Sequence, residues 1–136
     1  MPRLRRAAAP ALRSPCPIGA ALDLLGDRWT MLVVRDLFWG KQRYGEFLAS
    51  PEGIPTNLLA ERLERLEKSG LITRQPYQLN PPRHTYALTP KGRDLQPLLS
   101  ALVDWGLRHV PGTETRPGGR PGKSSGRART GRPAAP

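Results

Sequence analysis

The chain has 136 residues, one cysteine and a formal net charge of +11, which is enough for one compact domain with a modest core. The single cysteine, Cys16, cannot form an internal disulfide bond, so a disulfide-stabilised secreted scaffold is excluded. No apolar run approaches the ~20 residues that span a bilayer, and residues 1–11 lack the apolar stretch of a signal peptide, so we expect a cytoplasmic protein without a membrane partner.

The positive charge is concentrated at the two ends of the chain. Residues 1–15 carry four arginines and no acid, and residues 111–136 carry six basic residues against one acid. Residues 16–110 hold nearly all the large apolar side chains and are almost neutral. We therefore predict one folded domain over 16–110, between a disordered basic arm and a disordered basic Gly/Pro/Arg tail. Such ends favour a nucleic-acid partner or serve only solubility, and composition leaves both open.

The segment that ends at Gly70 is predicted to contain four helices. The first ends at Gly26, and Asp27 caps the second, which ends at Gly40. A short third helix over 43–49 is followed by a turn over 50–53 and a fourth helix over 55–69. The apolar residues whose spacing predicts these helices are Ile18, Ala21, Leu22 and Leu25; Trp29, Leu32, Val33 and Leu37; Tyr44, Phe47 and Leu48; and Leu59, Leu63 and Leu66.

Two strands are predicted after the fourth helix. The first covers residues 71–77, where Pro76 places it at an edge or at a bulge. A turn over 80–82 leads to the second strand, over 83–88, which alternates. The residues predicted to share one face of this strand are His84, Tyr86 and Leu88.

A last helix is predicted from Thr89-Pro90 to about His109. Threonine followed by proline is a strong start signal, because the threonine caps the helix and the proline has no N–H to lose. Pro97 should kink this helix in its interior. The residues that share its apolar face are Leu95, Leu98, Leu99, Leu102 and Gly106.

The order of these elements predicts a winged helix-turn-helix, mainly α with a small β-hairpin wing. In that arrangement the fourth helix enters the major groove of double-stranded DNA by its N-terminal end. Its outward residues include types that read base edges, and basic residues nearby fit phosphate contacts. The residues predicted to contact DNA are Thr56, Asn57, Ala60, Glu61, Arg65 and Lys68 on this helix, with Lys41, Arg43 and Arg83 as phosphate contacts.

The same helix face also fits an ordinary solvated surface. Glu61 with Arg65, and Glu64 with Lys68, are favourable pairs at i,i+4 spacing. The DNA interpretation therefore rests on the order of the elements and not on charge. Two alternatives stay open, namely a nonspecific nucleoid-type DNA-binding protein, which the basic ends favour, and a winged-helix module that binds another protein.

The sequence offers little for catalysis. His84, His109 and Cys16 are too few for a convincing metal cluster. No serine lies in the Gly-x-Ser-x-Gly setting of a nucleophile. We therefore expect neither an enzyme nor a metal or other cofactor.

Several motifs occur in a specific order between residues 16 and 107. They are LDLLGDRW at 22–29, RYGEF at 43–47, GIPTNLL at 53–59, LERLEKSGLI at 63–72, PPR at 81–83 and YALT at 86–89, followed by Gly92 and Trp105-Gly106. Together they resemble the HxlR family of MarR-like winged helix-turn-helix regulators. Pro55 departs from the pattern, since the family often has a serine there that could cap the recognition helix.

The resemblance implies a transcriptional regulator that acts as a homodimer, formed by the N-terminal segment and the last helix. A two-fold dimer would read a pseudo-palindromic operator with half-sites about one helical turn (~34–36 Å) or a multiple apart. Repression is the commoner outcome in the family, and an unidentified small-molecule effector is a further expected partner. Proline at position 97 also recurs in the family, so the last helix is expected to be continuous. The predicted dimer-interface residues are Ile18, Leu22, Leu95, Leu98, Leu99, Leu102 and Trp105.

Cys16 has two interpretations. Some members of that family sense oxidants or electrophiles through a cysteine just before the first helix, which is the position of Cys16. A helix N-terminus favours a thiolate, Arg13 is close in sequence, and oxidation would change how the protomers are held. Alternatively, Cys16 is a small apolar side chain at the dimer interface.

Overall fold

The computed structural model describes residues 12–115. Most of the predicted basic arm (1–11) and of the basic tail (116–136) lies outside the described residues. The elements are α1 (Pro17–Leu25), α2 (Thr30–Phe38), α3 (Tyr44–Leu48), α4 (Thr56–Lys68), β1 (Ile72–Leu79), β2 (Pro82–Leu88), α5 (Pro90–Arg93) and α6 (Gln96–His109). Within this range no helix combines the length and apolar character needed to cross a membrane.

The helix starts follow signals that are visible in the sequence. Asp27 Oδ2 accepts hydrogen bonds from the backbone N–H groups of Trp29 (3.0 Å) and Thr30 (3.2 Å). Asp27 therefore caps the start of α2, as predicted. Pro55 precedes α4 without offering a side-chain hydrogen bond, so α4 begins at Thr56, one residue later than predicted.

The core lies between α2 and α4. Leu59, Leu63 and Leu66 are at most 2% exposed, which confirms the predicted buried stripe of α4. Val34, on α2, is fully buried, and Phe47 of α3 is 1% exposed. The remaining buried apolar residues are Leu25, Val33, Leu37, Ile54, Leu71, Ile72 and Leu99. Burial of one stripe of α4 leaves its opposite side free for solvent or a partner.

The two strands form an antiparallel hairpin, in which Ile72 lies opposite Leu88. The pairing register shifts between Pro76 and Gln78, so Tyr77 is the additional residue of a bulge. This confirms the irregularity that the proline predicted, because a proline cannot donate to the strand pairing. The connection between α2 and α3 adds to the hairpin, since Gln42 O accepts a hydrogen bond from Tyr86 N–H at 2.8 Å.

The predicted continuous last helix is wrong. Thr89 caps α5 by accepting a hydrogen bond from Gly92 N–H at 3.1 Å, but α5 ends at Arg93 and α6 begins at Gln96. Pro97 therefore lies in the first turn of α6, where its missing N–H interrupts no helical hydrogen bond. Proline here favours a new helix start and does not kink an existing helix.

The base of the hairpin is packed closely against α5. A Cβ atom added at Gly92 would lie 2.2 Å from Leu71 O and 2.9 Å from Leu88 Cδ2. The backbone N–H of Thr89 donates to Leu71 O at 3.0 Å, and Thr89 Oγ1 donates to Gly70 O at 2.6 Å. Only glycine therefore fits at position 92, because no room is left for a Cβ atom.

We expect Gly92→Ala to lower the free energy of unfolding by at least the ~1–3 kcal/mol of overpacking, because the contact is with backbone that cannot move aside. The matched control is Gly45→Ala, since a Cβ at this helical position meets no atom within 4 Å. The control should stabilise the protein by about 0.5–1 kcal/mol. Urea denaturation followed by circular dichroism measures both, and equal stability of the two variants would contradict the packing argument.

Candidate nucleic-acid interface

The side of α4 that faces away from the core carries a set of exposed residues. Near the start of the helix are Thr56 and Asn57, and further along are Ala60, Glu61, Glu64 and Lys68. Lys68 Nζ lies 3.1 Å from Glu64 Oε2, which confirms this predicted i,i+4 pair. The start of the helix thus offers short polar side chains, while its later turns carry paired charges.

The start of α4 is attached to α3. The hydroxyl of Tyr44 donates to the backbone carbonyl of Thr56 at 2.7 Å. At the start of α3, Glu46 Oε1 accepts hydrogen bonds from the backbone N–H groups of Gln42 (2.7 Å) and Arg43 (2.9 Å). These two bonds lower the pKa of Glu46 below its ordinary value. The two helices therefore form one helix-turn-helix unit.

Arg65 is directed away from the exposed face of α4. Its Nη2 lies 3.2 Å from Asp27 Oδ1 and 3.5 Å from the carbonyl oxygen of Leu24. Arg62 bonds the same carboxylate, with Nε 2.7 Å from Asp27 Oδ2, and its Nη1 pairs with Glu61 at 2.6 Å. The predicted Glu61–Arg65 pair is therefore wrong, because Asp27 lies within reach of both arginines.

Asp27 joins α4 to the connection between α1 and α2. Burial alone would raise the pKa of Asp27, but hydrogen bonds from Thr30, Arg62 and the Trp29 backbone N–H outweigh it and hold the pKa well below its usual range. The carboxylate is thus both a helix cap and an ionic link to α4.

Two of the three predicted phosphate contacts lie at the hairpin, Arg83 within it and Arg43 against it. Arg83 is exposed near its tip, opposite Gln78. The guanidinium of Arg43 lies 4.3 Å from the centre of the Tyr77 ring, a cation–π contact that orders both side chains. Lys41 instead is turned inward, where its Nζ donates to Ser50 Oγ at 2.6 Å. The structure therefore separates Lys41 from the exposed residues of the wing.

A cluster of charges that the sequence analysis missed lies beside Lys41. The carboxylate of Asp36, a residue that is only 3% exposed, accepts a hydrogen bond from Ser50 Oγ and from Arg35 Nη2 at 2.8 Å. Arg35 also binds Glu52 through two hydrogen bonds of 2.7 and 2.9 Å. Burial alone would lower the pKa of Arg35, but its hydrogen bonds to Glu52 and Asp36 raise it. The bond from Arg35 lowers the pKa of Glu52.

Comparison with known proteins identifies this architecture. Residues 24–114 match the model of the HxlR-like helix-turn-helix family. The chain belongs to this family. An HTH-type transcriptional regulator of Mycobacterium tuberculosis is 44% identical over 100 residues, which are 74% of this chain and 63% of that regulator. The chain therefore spans less than two thirds of the length of this relative.

Solved structures agree with the assignment to the HxlR-like family. The crystal structure of PA1607 matches with a TM-score of 0.67 at 39% identity, covering 80% of each chain. The redox regulator HypR in its oxidised form matches with a TM-score of 0.63 at 32% identity, covering 69% of this chain and 97% of HypR. The winged helix-turn-helix fold is thus confirmed, and the family consists of transcriptional regulators and not of enzymes.

The predicted dimer-interface residues of this HxlR-like chain fall into two groups. Leu99 is 5% exposed and belongs to the core of the chain itself, and Leu95 packs against that core. The other members are large apolar residues that are 42–70% exposed, namely Ile18, Leu22, Leu98, Leu102 and Trp105. The spacing of the leucines in the sequence did not predict which of them are buried, because Leu98 and Leu99 occupy adjacent positions of α6 and yet differ in exposure.

Cys16 is an exposed, free cysteine at the residue before α1. Its backbone N–H donates to Ser14 Oγ at 3.1 Å. The guanidinium of Arg13 is directed to Asp23, with Nε 3.0 Å from Oδ1. The cation that the sequence predicts beside Cys16 is therefore already paired with a carboxylate. Among residues 12–115 no group of three or more His, Cys, Asp or Glu could hold a metal ion.

We expect Asp27→Ala to lower the free energy of unfolding by about 1–3 kcal/mol at neutral pH, because a cap and two charge-assisted hydrogen bonds are lost. The lowered pKa means that this contribution is complete above the unfolded value of about 3.9 and is lost as the pH falls through the folded value. The difference between wild type and variant should therefore shrink below about pH 4.

Thermal unfolding of both proteins between neutral and acidic pH measures this difference. The control is Asp23→Ala, whose partner Arg13 is 82% exposed, so that the loss of their ion pair should change stability little. A constant difference between wild type and Asp27→Ala across the acid range would contradict the assignment.

Proposed function

We propose that this protein is a sequence-specific double-stranded DNA-binding transcriptional regulator that acts as a homodimer and represses its target genes. The observation that carries the proposal is the division of α4, which buries a leucine stripe and presents Thr56 and Asn57 at its exposed start. That is the arrangement by which a recognition helix enters the major groove.

The contacts divide by the chemistry of their side chains. Asn57 is suited to a bidentate contact with adenine, and Thr56 can reach either a base or a phosphate. Arg83 lies on the wing, and Arg43, just before α3, extends its guanidinium over Tyr77 of the wing. Cations at these positions would contact the DNA backbone and fix the register of the protein without reading sequence. Glu61 and Lys68 supply further polar contacts along the groove.

The apolar surface on α1 and α6 supports the homodimer. Ile18, Leu22, Leu102 and Trp105 are each more than half exposed, and large apolar side chains left exposed on two helices favour an interaction site. A second copy of the chain would cover it around a two-fold axis. Two recognition helices related by that axis favour a pseudo-palindromic operator, and occupation of such a site within a promoter represses transcription.

The proposal is tested by selecting duplexes from a random-sequence pool with the full chain and measuring binding to the enriched duplex by gel shift. Asn57→Ala should weaken binding to that duplex by about 1–3 kcal/mol and relax specificity at one position. Arg83→Ala should weaken binding to all duplexes alike and reduce the salt slope by about 1.

The matched control for Arg83→Ala is Arg108→Ala, because Arg108 is an exposed arginine on α6, outside the helix-turn-helix and the wing. The control should leave the salt slope unchanged. A pool that yields no preferred sequence, together with binding that competitor DNA abolishes, would favour a nonspecific nucleoid-type protein. Binding to no DNA at all would favour a protein-interaction module.

We further propose that oxidation of Cys16 modulates DNA binding. Cys16 is an exposed free thiol beside the apolar surface of α1, and the similar protein HypR is a redox regulator. Two Cys16 thiols of a dimer would give up two electrons and two protons to hydrogen peroxide, whose O–O bond breaks to give two molecules of water, and would form one intermolecular disulfide bond.

We expect hydrogen peroxide to change the affinity of the wild type for its selected duplex and to produce a dimer on a non-reducing gel. Reductant should reverse both effects. Cys16→Ser should bind the duplex like the reduced wild type and should not respond to peroxide. An unchanged peroxide response in Cys16→Ser would show that the thiol is only a packing residue.

A further inference from the structure

Two separate polar links join the second half of α2 to the turn within the helix-turn-helix. The first runs from the Asp36 carboxylate to Ser50 Oγ, at the beginning of the turn. The second runs through Arg35. Its guanidinium donates to the Asp36 carboxylate at 2.8 Å and to the Glu52 carboxylate at 2.7 and 2.9 Å. The turn itself is closed by Gly53 N–H donating to Ser50 O at 3.1 Å. Two residues of one short turn are therefore linked to Asp36, Ser50 directly and Glu52 through Arg35.

We propose that Asp36 is a positioning residue for DNA recognition, which fixes the turn over residues 50–53 on α2 and thereby the direction in which the start of α4 points. This inference rests on the proposed function. Asp36 is 3% exposed, so it acts through Ser50 and Arg35 and not by touching DNA.

The cluster is balanced in charge, which explains how the Asp36 carboxylate can be buried within it. Asp36 and Glu52 supply two negative charges, and Arg35 and Lys41 supply two positive charges, with Lys41 Nζ 3.7 Å from Asp36 Oδ2. Buried charges are tolerated when they are paired and hydrogen-bonded. Unlike apolar contacts, these hydrogen bonds are directional. They therefore favour a single orientation of the turn, and not only its close packing against α2.

The short distance along the chain makes this orientation important for the recognition helix. Only Ile54 and Pro55 separate the turn from Thr56 and Asn57. Ile54 is buried and Pro55 has a restricted backbone, so a displacement of the turn is passed to the helix start. A bidentate base contact depends on the placement of the side chain, whereas long exposed cations on the wing can still reach phosphates.

The inference assigns Lys41 a different role from the one that the sequence predicted. Lys41 Nζ donates to Ser50 Oγ at 2.6 Å, and its backbone N–H donates to Asp36 O at 3.0 Å. The lysine therefore completes the cluster from the α2–α3 connection. Its charge is used within the protein and is not presented on the wing beside Arg83.

The test compares Asp36→Asn and Ser50→Ala with wild type in the full chain. The measured quantities are the dissociation constants for the duplex enriched from a random pool by the wild type and for a scrambled duplex of equal length, each over a range of salt concentrations. Ser50→Ala removes one hydroxyl, and it tests the same link if Asp36→Asn does not fold. The matched control is Val34→Ala, because Val34 is fully buried on the same helix and its truncation destabilises the core without touching the cluster.

Both variants should lose about tenfold or more in the ratio of specific to scrambled binding, the equivalent of one base contact. Their salt slopes and their affinities for the scrambled duplex should stay at the wild-type values, because the phosphate contacts remain. Val34→Ala should keep the wild-type specificity ratio. Lys41→Met should keep the wild-type salt slope.

An unchanged specificity ratio in folded Asp36→Asn and Ser50→Ala would overturn the inference, and so would an equal loss of specificity in Val34→Ala, which would make the effect one of stability alone. If the wild type itself selects no sequence from the pool, the proposed function fails and the inference fails with it. The two failures are therefore distinguishable.

Discussion

The packing of α4 on α2 is the contact on which the arrangement of this domain depends. α4 must bury Leu59, Leu63 and Leu66 almost completely, yet it must keep its opposite side polar. An amphipathic helix meets both demands only when one neighbour covers a narrow stripe and no other element covers the rest. Val33, Val34 and Leu37 make α2 that neighbour. Tyr44 of α3 bonds the first residue of α4, and Arg74 Nε of β1 lies 3.4 Å from Glu67 Oε1 near the end of α4.

Apolar packing fixes how closely α2 and α4 approach, but it leaves their relative orientation loosely defined, since leucines tolerate small rotations. Two carboxylates at opposite ends of α2 add direction. Asp27, just before the helix, binds Arg62 and Arg65 of α4. Asp36, near its end, binds the turn from which α4 starts. These contacts orient α4 both along its length and at its beginning.

The features that were predictable from the sequence are those with a local signal. The leucine stripe of α4, the caps Asp27 and Thr89, and the irregularity at Pro76 each depend on residues within one or two turns of the chain. The division of the last helix at Pro97 was missed because a proline fits the first turn of a new helix as well as a kink, and the leucine spacing continues across the break.

The polar clusters were missed for a different reason. Asp36 bonds Ser50 and Arg35 bonds Glu52. Each pair is separated along the chain by α3, and no periodic pattern connects its members. A helical projection gives the direction of a Cβ atom and not the end of a long side chain. Arg65 therefore appeared beside the outward residues, although its guanidinium reaches back to Asp27 and to the end of α1. The same projection placed Glu61 correctly on the exposed face, where its side chain is 56% exposed.

The closure of the hairpin at its base has a consequence for how this protein can diverge. Thr89 donates hydrogen bonds to the carbonyl oxygens of both Gly70 and Leu71, and Gly92 packs against Leu71 at the same place. The hairpin therefore begins and ends at fixed positions on the core. Residues inserted at the tip, around Asn80, would lengthen the wing without shifting α4 or α6. If the wing contacts DNA as proposed, a longer tip would extend that contact along the duplex without displacing α4.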